Sequence, residues 1–311
     1  MKKLLLFMAV GVATIANAQQ FEVTALQEVK TGGIAAFHPR FMPDGKTLLV
    51  SQTESYDGLS LVNVKEGSYS ELTNMPGAAW CCEISEDGKT VLTRSMDREN
   101  FTHNIYTIDV ATKKATPVIT NIDHINNMTF SRGVVQLAHS GGKLLQQKVA
   151  DVATPLKPNN NLLLTNEDLK MVLYVNGVRN VLDPLAGQFE DWDPQYIWTS
   201  ISPDGKKILF YCQQSAYTCD LNGQNVVKIG KIQGPKWIDN DYIVGMDGTH
   251  DGYFYEQNEI YVCKKDGTQR QQLTSGADKE IKMLPAVSAD GSQIAYYTQS
   301  GKLFLMTIKK K

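Results

Sequence analysis

The sequence predicts an all-β fold, namely a seven-bladed β-propeller of four-stranded antiparallel blades. Short runs rich in β-branched and aromatic residues alternate with turn clusters along nearly the whole chain, and helical periodicity is almost absent. A turn motif also repeats, most clearly as Ser202-Pro203-Asp204-Gly205 before an alternating strand. Its copies recur every 35 to 51 residues, which matches the roughly 40 to 50 residues of a four-stranded blade.

The best copy of the motif has the chemistry of a tight hairpin. Pro203 presets φ at the first turn position, and the Asp204 carboxylate can accept a hydrogen bond from the turn backbone. Gly205 supplies a left-handed backbone without steric cost, and Ile208 and Phe210 then begin an alternating strand. We therefore expect each copy to join the first and second strands of a blade.

Seven copies follow one another along the chain. They centre on Gly45, Gly88, Gly133, Leu169, Gly205, Asn240 and Gly291. The third and fourth copies are eroded, so six blades remain the alternative, in which these two merge around an insertion at 151–161. The last copy supplies only three strands, whereas Phe21 to Val29 forms a spare one. We expect the two ends of the chain to complete one blade together, which hides an exposed strand edge.

A second strand pattern completes the repeat. In the sixth unit it runs Ile260-Tyr261-Val262, then Asp266-Gly267, then Leu273-Thr274. Together with Ser-Pro-Asp-Gly-Lys, this pattern resembles the repeat of TolB-type β-propellers, which are related in shape to WD-repeat propellers. The resemblance implies protein partners in the cell envelope, engaged on one face or in the channel. Oligogalacturonate lyases also resemble this architecture, and they hold a divalent metal on histidines and a glutamine over the propeller axis.

The beginning of the chain predicts export. Lys2 and Lys3 precede an apolar run from Leu4 to Ile15, which ends in Ala16-Asn17-Ala18. This is the pattern of a secretory signal peptide, and we expect cleavage after Ala18 into the periplasm or the medium. Residues 19–311 are predicted to form a single β-propeller domain without a membrane span. The net charge of −2 gives no basic patch of the kind that binds nucleic acid. We also expect a monomer.

Five cysteines follow the predicted cleavage point: Cys81, Cys82, Cys212, Cys219 and Cys263. Export permits disulfides, and Cys212 and Cys219 fall on two arms of one predicted hairpin, where they can pair if the register allows. The alternative is that all five serve as small buried hydrophobic side chains. Because the number is odd, at least one thiol stays free or pairs elsewhere.

The candidate ligand-binding residues fall in the loops opposite the Asp-Gly turns. All five histidines are predicted there, in the segments 31–40, 95–104, 121–127, 138–143 and 246–258. Surface histidines in loops are ordinary, so this bias is a hint of a polar ligand surface or of a metal centre rather than a motif. The candidates are His38, Arg40, His103, His124, Asn126, Trp192, His250, Asp251, Tyr253 and Tyr255; His139 lies in the same set of segments.

Two of these segments carry additional hypotheses. Asp247, Thr249, Asp251 and Gly252 resemble the opening of a calcium loop, but the twelfth position is Asn258 and not glutamate. Trp192 stands among the carboxylates of Glu190, Asp191 and Asp193, as at some glycan sites, although a solvated acidic loop explains the pattern equally. The sequence thus favours a non-enzymatic binding module for a protein, peptide or glycan partner in the cell envelope. The alternative is a metal-dependent propeller enzyme acting on a saccharide.

Overall fold

The computed structural model shows seven antiparallel β-sheets, each of which forms one blade of a propeller. It describes residues 20–131, 134–139, 143–149, 162–190, 193–251 and 255–311. The prediction of a seven-bladed β-propeller is confirmed, and the six-bladed alternative is wrong because the third and fourth repeats form separate sheets. The predicted signal peptide, Trp192 and Tyr253 lie outside the described residues.

The first four blades take up the chain as far as Leu182. Blade one contains β2 (Phe37–Phe41), β3 (Thr47–Ser51), β4 (Leu59–Asn63) and β5 (Tyr69–Thr73). Blade two contains β6 (Glu83–Ile84), β7 (Thr90–Asp97), β8 (Thr102–Asp109) and β9 (Ala115–Ile122). Blade three contains β10 (Ile125–Ser131), β11 (Val134–His139) and β12 (Lys143–Lys148). Blade four contains β13 (Leu162–Glu167), β14 (Lys170–Val175) and β15 (Val178–Leu182).

The last three blades bring the two ends of the chain together. Blade five contains β16 (Ile197–Ile201), β17 (Lys207–Cys212), β18 (Ser215–Asp220) and β19 (Val227–Gly230). Blade six contains β20 (Gln233–Trp237), β21 (Tyr242–His250), β22 (Tyr255–Lys264) and β23 (Gln271–Gln272). Blade seven contains β24 (Lys282–Val287), β25 (Gln293–Thr298), β26 (Leu303–Lys310) and β1 (Phe21–Val29), in that spatial order.

The Asp-Gly turns have the predicted geometry. Gly205 adopts a φ of 71°, and its amide donates to the Ser202 carbonyl at 2.8 Å. The Asp204 Oδ1 atom accepts from the Ser202 hydroxyl and from the Lys206 amide. These bonds are local and fix the hairpin register, which explains why the repeat is legible in the sequence.

Seven hydrophobic clusters occupy the interfaces between successive blades in the described part of the chain. The second strand of a blade contributes side chains to the clusters on both sides of that blade. Leu48 and Val50 face blade seven, whereas Leu49 faces blade two. Strands that are buried on both faces read as continuous apolar runs. The cluster between blades seven and one closes the ring, and Phe21 belongs to the cluster between blades six and seven.

Two predicted loops are wrong, and the observed register decides between the alternatives for the cysteines. Cys212 pairs with Ser215 and Cys219 with Ile208 along the β17–β18 ladder. The register therefore separates the two thiols, and all five cysteines are free. The predicted loops 95–104 and 246–258 are mostly strand, because the hairpins extend to the pairs Asp97 with Thr102 and His250 with Tyr255. No helix in the described ranges is long and apolar enough to cross a membrane.

Candidate functional site

The seven first strands surround a central channel that holds a cavity of about 780 Å³. Every blade contributes to its wall, either from its first strand or from the link that precedes it. Lining residues from blades one to seven include His38, Arg40, Glu83, Asn127, Asn166, Trp198, Lys236 and Ala286. A concave cavity lined by apolar and a few charged groups is the usual setting of a ligand site.

A backbone irregularity recurs at the entry to five of the first strands. His38, Cys81, Trp198, Gly234 and Leu284 all have positive φ, between 34° and 54°. In β2, β16, β20 and β24 this position coincides with a register shift in the ladder. Bulges re-aim side chains, and a positive φ in residues such as tryptophan or leucine is strained. The wall of the channel is thus shaped by strained backbone positions that recur in several blades.

An aromatic wall, formed by Tyr297, His38, Tyr56 and Trp80, spans blades seven, one and two at the mouth of the channel. His38 stacks on Tyr56 with ring centroids 3.9 Å apart and an interplanar angle of 12°. Tyr297 meets His38 edge to face at 5.2 Å, and Trp80 meets Tyr56 edge to face at 5.3 Å. Arg94 lies 5.4 Å from the Trp80 ring centroid. Trp80 remains 43% exposed, so the wall presents an indole to solvent.

His38 is held in this wall by both ring nitrogens. Its Nε2 atom lies 2.9 Å from the Glu54 carbonyl oxygen, and Nδ1 lies 3.5 Å from the Tyr297 hydroxyl. A carbonyl can only accept, so Nε2 carries the proton and Nδ1 is left to accept from the phenol. Burial lowers the pKa of His38, and the Glu54 carbonyl opposes that effect. The ring is a neutral structural member of the wall at physiological pH.

Deeper in the channel, five blades place a residue at one equivalent position, two residues after the one with positive φ. We call this set the inner ring; its members are Arg40, Glu83, Ser200, Lys236 and Ala286. They pair with Leu49, Leu92, Leu209, Val244 and Ala295, which occupy matching positions on the second strands. The inner ring therefore brings two cations and one carboxylate to one level of the channel.

The charges of the inner ring affect one another. Lys236 is exposed to the water of the cavity, yet enclosure by the surrounding blades lowers its pKa to about 8, and Arg40 adds to that shift. Burial raises the pKa of Glu83, while Arg40 and then Lys236 oppose the rise. Arg40 donates from Nη1 to the Cys82 carbonyl at 2.6 Å. Pronounced pKa shifts in a cavity are typical of functional sites.

Of the predicted ligand-binding residues that the structure describes, two line this channel, His38 and Arg40. His103 lies on β8 rather than in a loop and is 7% exposed. Burial lowers its pKa, with smaller contributions from Arg94 and His124. Asn126 is half-buried at the register shift of β10, and His139 ends β11.

Three further candidates that the structure describes, His250, Asp251 and Tyr255, lie on the long hairpin of blade six. His250 and Asp251 are exposed near its tip, and the Tyr255 hydroxyl donates to Gln233 Oε1 at 2.8 Å. Tyr255 also packs against the cluster between blades six and seven, which supports a structural role for this ring. A binding role for the hairpin stays a prediction.

The metal hypotheses find no ligand cluster. Among the described residues, no group of three or more His, Cys, Asp and Glu side chains could hold an ion. Asp247 and Thr249 belong to the extended strand β21, which cannot wrap around calcium as a loop does. Asp247 is instead engaged by Arg270, and by Lys231 at 3.1 Å.

Sequence reasoning missed Tyr56, Trp80, Glu83 and Lys236. A usable signal existed for the inner ring, because its members stand two residues before the first residue of each turn motif, at Met42, Ser85, Ser202, Ile238 and Ser288. When the repeats are aligned, this position reads Arg, Glu, Ser, Lys and Ala, and no single blade shows a motif there. Its meaning appears only when the blades are arranged around one axis.

Comparisons with known proteins give the fold. No protein-family profile matches the sequence, and no curated protein matches it significantly. A chain of the mitotic checkpoint complex is similar in structure, with a TM-score of 0.58 and 11% identity over 93% of this chain and 96% of that chain. At this identity the similarity shows a shared β-propeller architecture and nothing about function.

Two further structures are more distant. TolB from Acinetobacter baumannii has a TM-score of 0.46 and 14% identity over 88% of this chain. The present chain spans 55% of the TolB chain. Oligogalacturonate lyase from Vibrio parahaemolyticus has a TM-score of 0.46 and 11% identity, over 88% of this chain and 78% of that one. These values carry no conclusion about the activity of this chain.

Proposed function

We propose that this chain is an exported, non-catalytic binding module that takes a segment of a cell-envelope protein at the mouth of its central channel. The observation that carries the proposal is the aromatic wall beside the cavity, with Trp80 43% exposed at its outer end. Tryptophan and tyrosine are enriched at binding hot spots, because each buries a large area with few rotatable bonds.

The neighbouring groups support binding rather than chemistry. Both ring nitrogens of His38 are engaged within the protein, so this histidine is not poised as a general base. Burial raises the pKa of Cys81, a thiol that lines the cavity, to about 11, which makes it a poor nucleophile. The metal-dependent alternative lacks a set of ligands among the described side chains.

The experiment is affinity capture from an envelope fraction with the purified mature protein. Trp80→Ala removes the exposed indole, and Phe101→Ala is the matched control, since Phe101 is 69% exposed and does not line the cavity. We expect a partner that wild type and Phe101→Ala retain and that Trp80→Ala loses. Equal retention by all three proteins would contradict a site at the aromatic wall, and so would turnover of a substrate by the purified chain.

A further inference from the structure

The inner ring is the strongest unassigned feature of the molecule. Four of its five members, Arg40, Glu83, Lys236 and Ala286, line the same cavity. The pKa values of Glu83 in blade two and Lys236 in blade six each respond to the other residue and to Arg40 in blade one. Because the same position recurs in several blades, the charges of Arg40, Glu83 and Lys236 lie around one cavity.

Two of the three charged side chains in this ring lack a partner in the part of the chain that the structure describes. Among the described residues, neither the Glu83 carboxylate nor the Lys236 ammonium has a side-chain hydrogen bond, and neither has an ion pair within 4.0 Å. The fifth member, Ser200, has a buried hydroxyl that also lacks a hydrogen-bond partner there. Buried polar groups are normally satisfied, so the Ser200 hydroxyl is an exception, whereas Glu83 and Lys236 face the cavity and remain available to a ligand.

The balance of charge indicates the class of ligand. Two cations and one carboxylate leave an excess of one positive charge when all three are ionised. One anionic group neutralises that excess, whereas a second would face the Glu83 carboxylate in an enclosed cavity. Arginine and lysine both bind carboxylates through charge-assisted hydrogen bonds.

The channel mouth above the ring favours a peptide over a sugar acid. Its lining includes Trp80, Ile197 and Leu284, which offer mainly apolar surface, and Ile197 is 44% exposed. His38 has no ring nitrogen left for a sugar hydroxyl. A peptide can place apolar side chains against this surface and carry its own carboxylate inward.

We propose that the inner ring binds one carboxylate group of an extended peptide, held between Arg40 and Lys236, when a partner segment enters the channel. The inference rests on the proposed function, since it names the chemistry of the segment that the channel accepts. Glu83 restricts the site to a single anionic group.

The test uses two synthetic peptide libraries of identical composition with acetylated N-termini. One library ends in free carboxylates and the other in amides, so that an acidic side chain and a C-terminus are distinguished. We expect the tightest binders to carry one carboxylate. Lys236→Met should weaken them about tenfold, the usual effect of losing one charged hydrogen bond. Glu83→Gln should leave binding equal or tighter.

Lys89→Met is the matched control, because Lys89 is 80% exposed on a turn at the opposite face. Selection of neutral or basic peptides would overturn the proposal, as would no selection, or equal binding by Lys236→Met and wild type. Binding of uronic acid oligosaccharides in place of peptides would also overturn it. A peptide that is lost with Trp80→Ala but kept with Lys236→Met would sink this inference and leave the proposed function standing.

Discussion

Phe21 packs edge to face against Tyr242 with ring centroids 5.1 Å apart, although the two residues belong to the outer strand of blade seven and the second strand of blade six. The Gln271 side chain fastens the same point, since its amide accepts from the Phe21 amide at 3.0 Å and donates to the Phe21 carbonyl at 2.7 Å. The first described strand is therefore tied to two blades at once, and ring closure depends on it.

We predict that Phe21→Ala destabilises the fold by about 3 to 5 kcal/mol, the usual cost of removing a buried phenylalanine side chain. Phe21 is 2% exposed. Leu26 is 49% exposed on the same strand, so Leu26→Ala should change the free energy of unfolding by no more than about 0.5 kcal/mol. Urea denaturation followed by tyrosine and tryptophan fluorescence measures both. Equal losses would mean that the strand, and not the ring contact, closes the propeller.

A second prediction concerns the ion pair that joins β24 of blade seven to β22 of blade six. Lys282, whose side chain is 1% exposed, donates from Nζ to Glu259 Oε1 at 3.2 Å and to the Ser275 carbonyl at 3.1 Å. Glu259→Gln leaves this buried ammonium facing a neutral amide. We expect a loss of about 2 kcal/mol, in the range for hydrogen bonds to charged groups.

The surface pair Glu280 and Lys302 is the matched control, with Lys302 47% exposed. Exposed pairs contribute about 0 to 1 kcal/mol, so Glu280→Gln should have a small effect in the same denaturation assay. Adding Lys282→Met to Glu259→Gln should recover part of the loss, because no buried charge then lacks its partner. A double variant as unstable as the sum of the two single variants would contradict this account.

The fold was predictable because its information is local. The Ser202 to Gly205 turn is held by bonds within a few residues, and each turn announces its hairpin independently of the other blades. The sequence left the disulfide open because pairing depends on register, and a shift of four positions along the β17–β18 ladder separates Cys212 from Cys219. The histidines shared a predicted face, but only His38 reaches the channel among the described side chains. The spacing of residues in the sequence predicts neither the separation of the two thiols nor the distance of a histidine from the channel.

The site escaped prediction for the opposite reason. Arg40 lies in blade one and Lys236 in blade six, so the two residues are far apart in the sequence. They line the same cavity only because blade seven closes the ring. Their position in the repeat was readable, yet no physical rule assigns meaning to an arginine in one blade and a lysine in another until the axis is known. Trp80 likewise precedes a strand of only two residues, Glu83–Ile84, where no strand pattern marks the channel wall.

The last prediction concerns pH. Because enclosure and the nearby Arg40 lower the pKa of Lys236 to about 8, the free protein loses this positive charge as the pH rises through that value. A peptide carboxylate stays ionised throughout and binds the protonated form, so its affinity should fall as the pH rises from about 7 to about 10. Cys81, with a pKa of about 11, titrates largely above this window.

Fluorescence polarisation of a carboxylate peptide at constant ionic strength measures the profile. Lys236→Arg keeps a charge at this position across the whole range, and its profile should therefore be flat where that of wild type falls. Burial lowers the pKa of His38 and raises that of Glu83, so any slope due to these two residues would persist in Lys236→Arg. A flat wild-type profile, or the same slope in both proteins, would show that Lys236 does not contact the bound carboxylate.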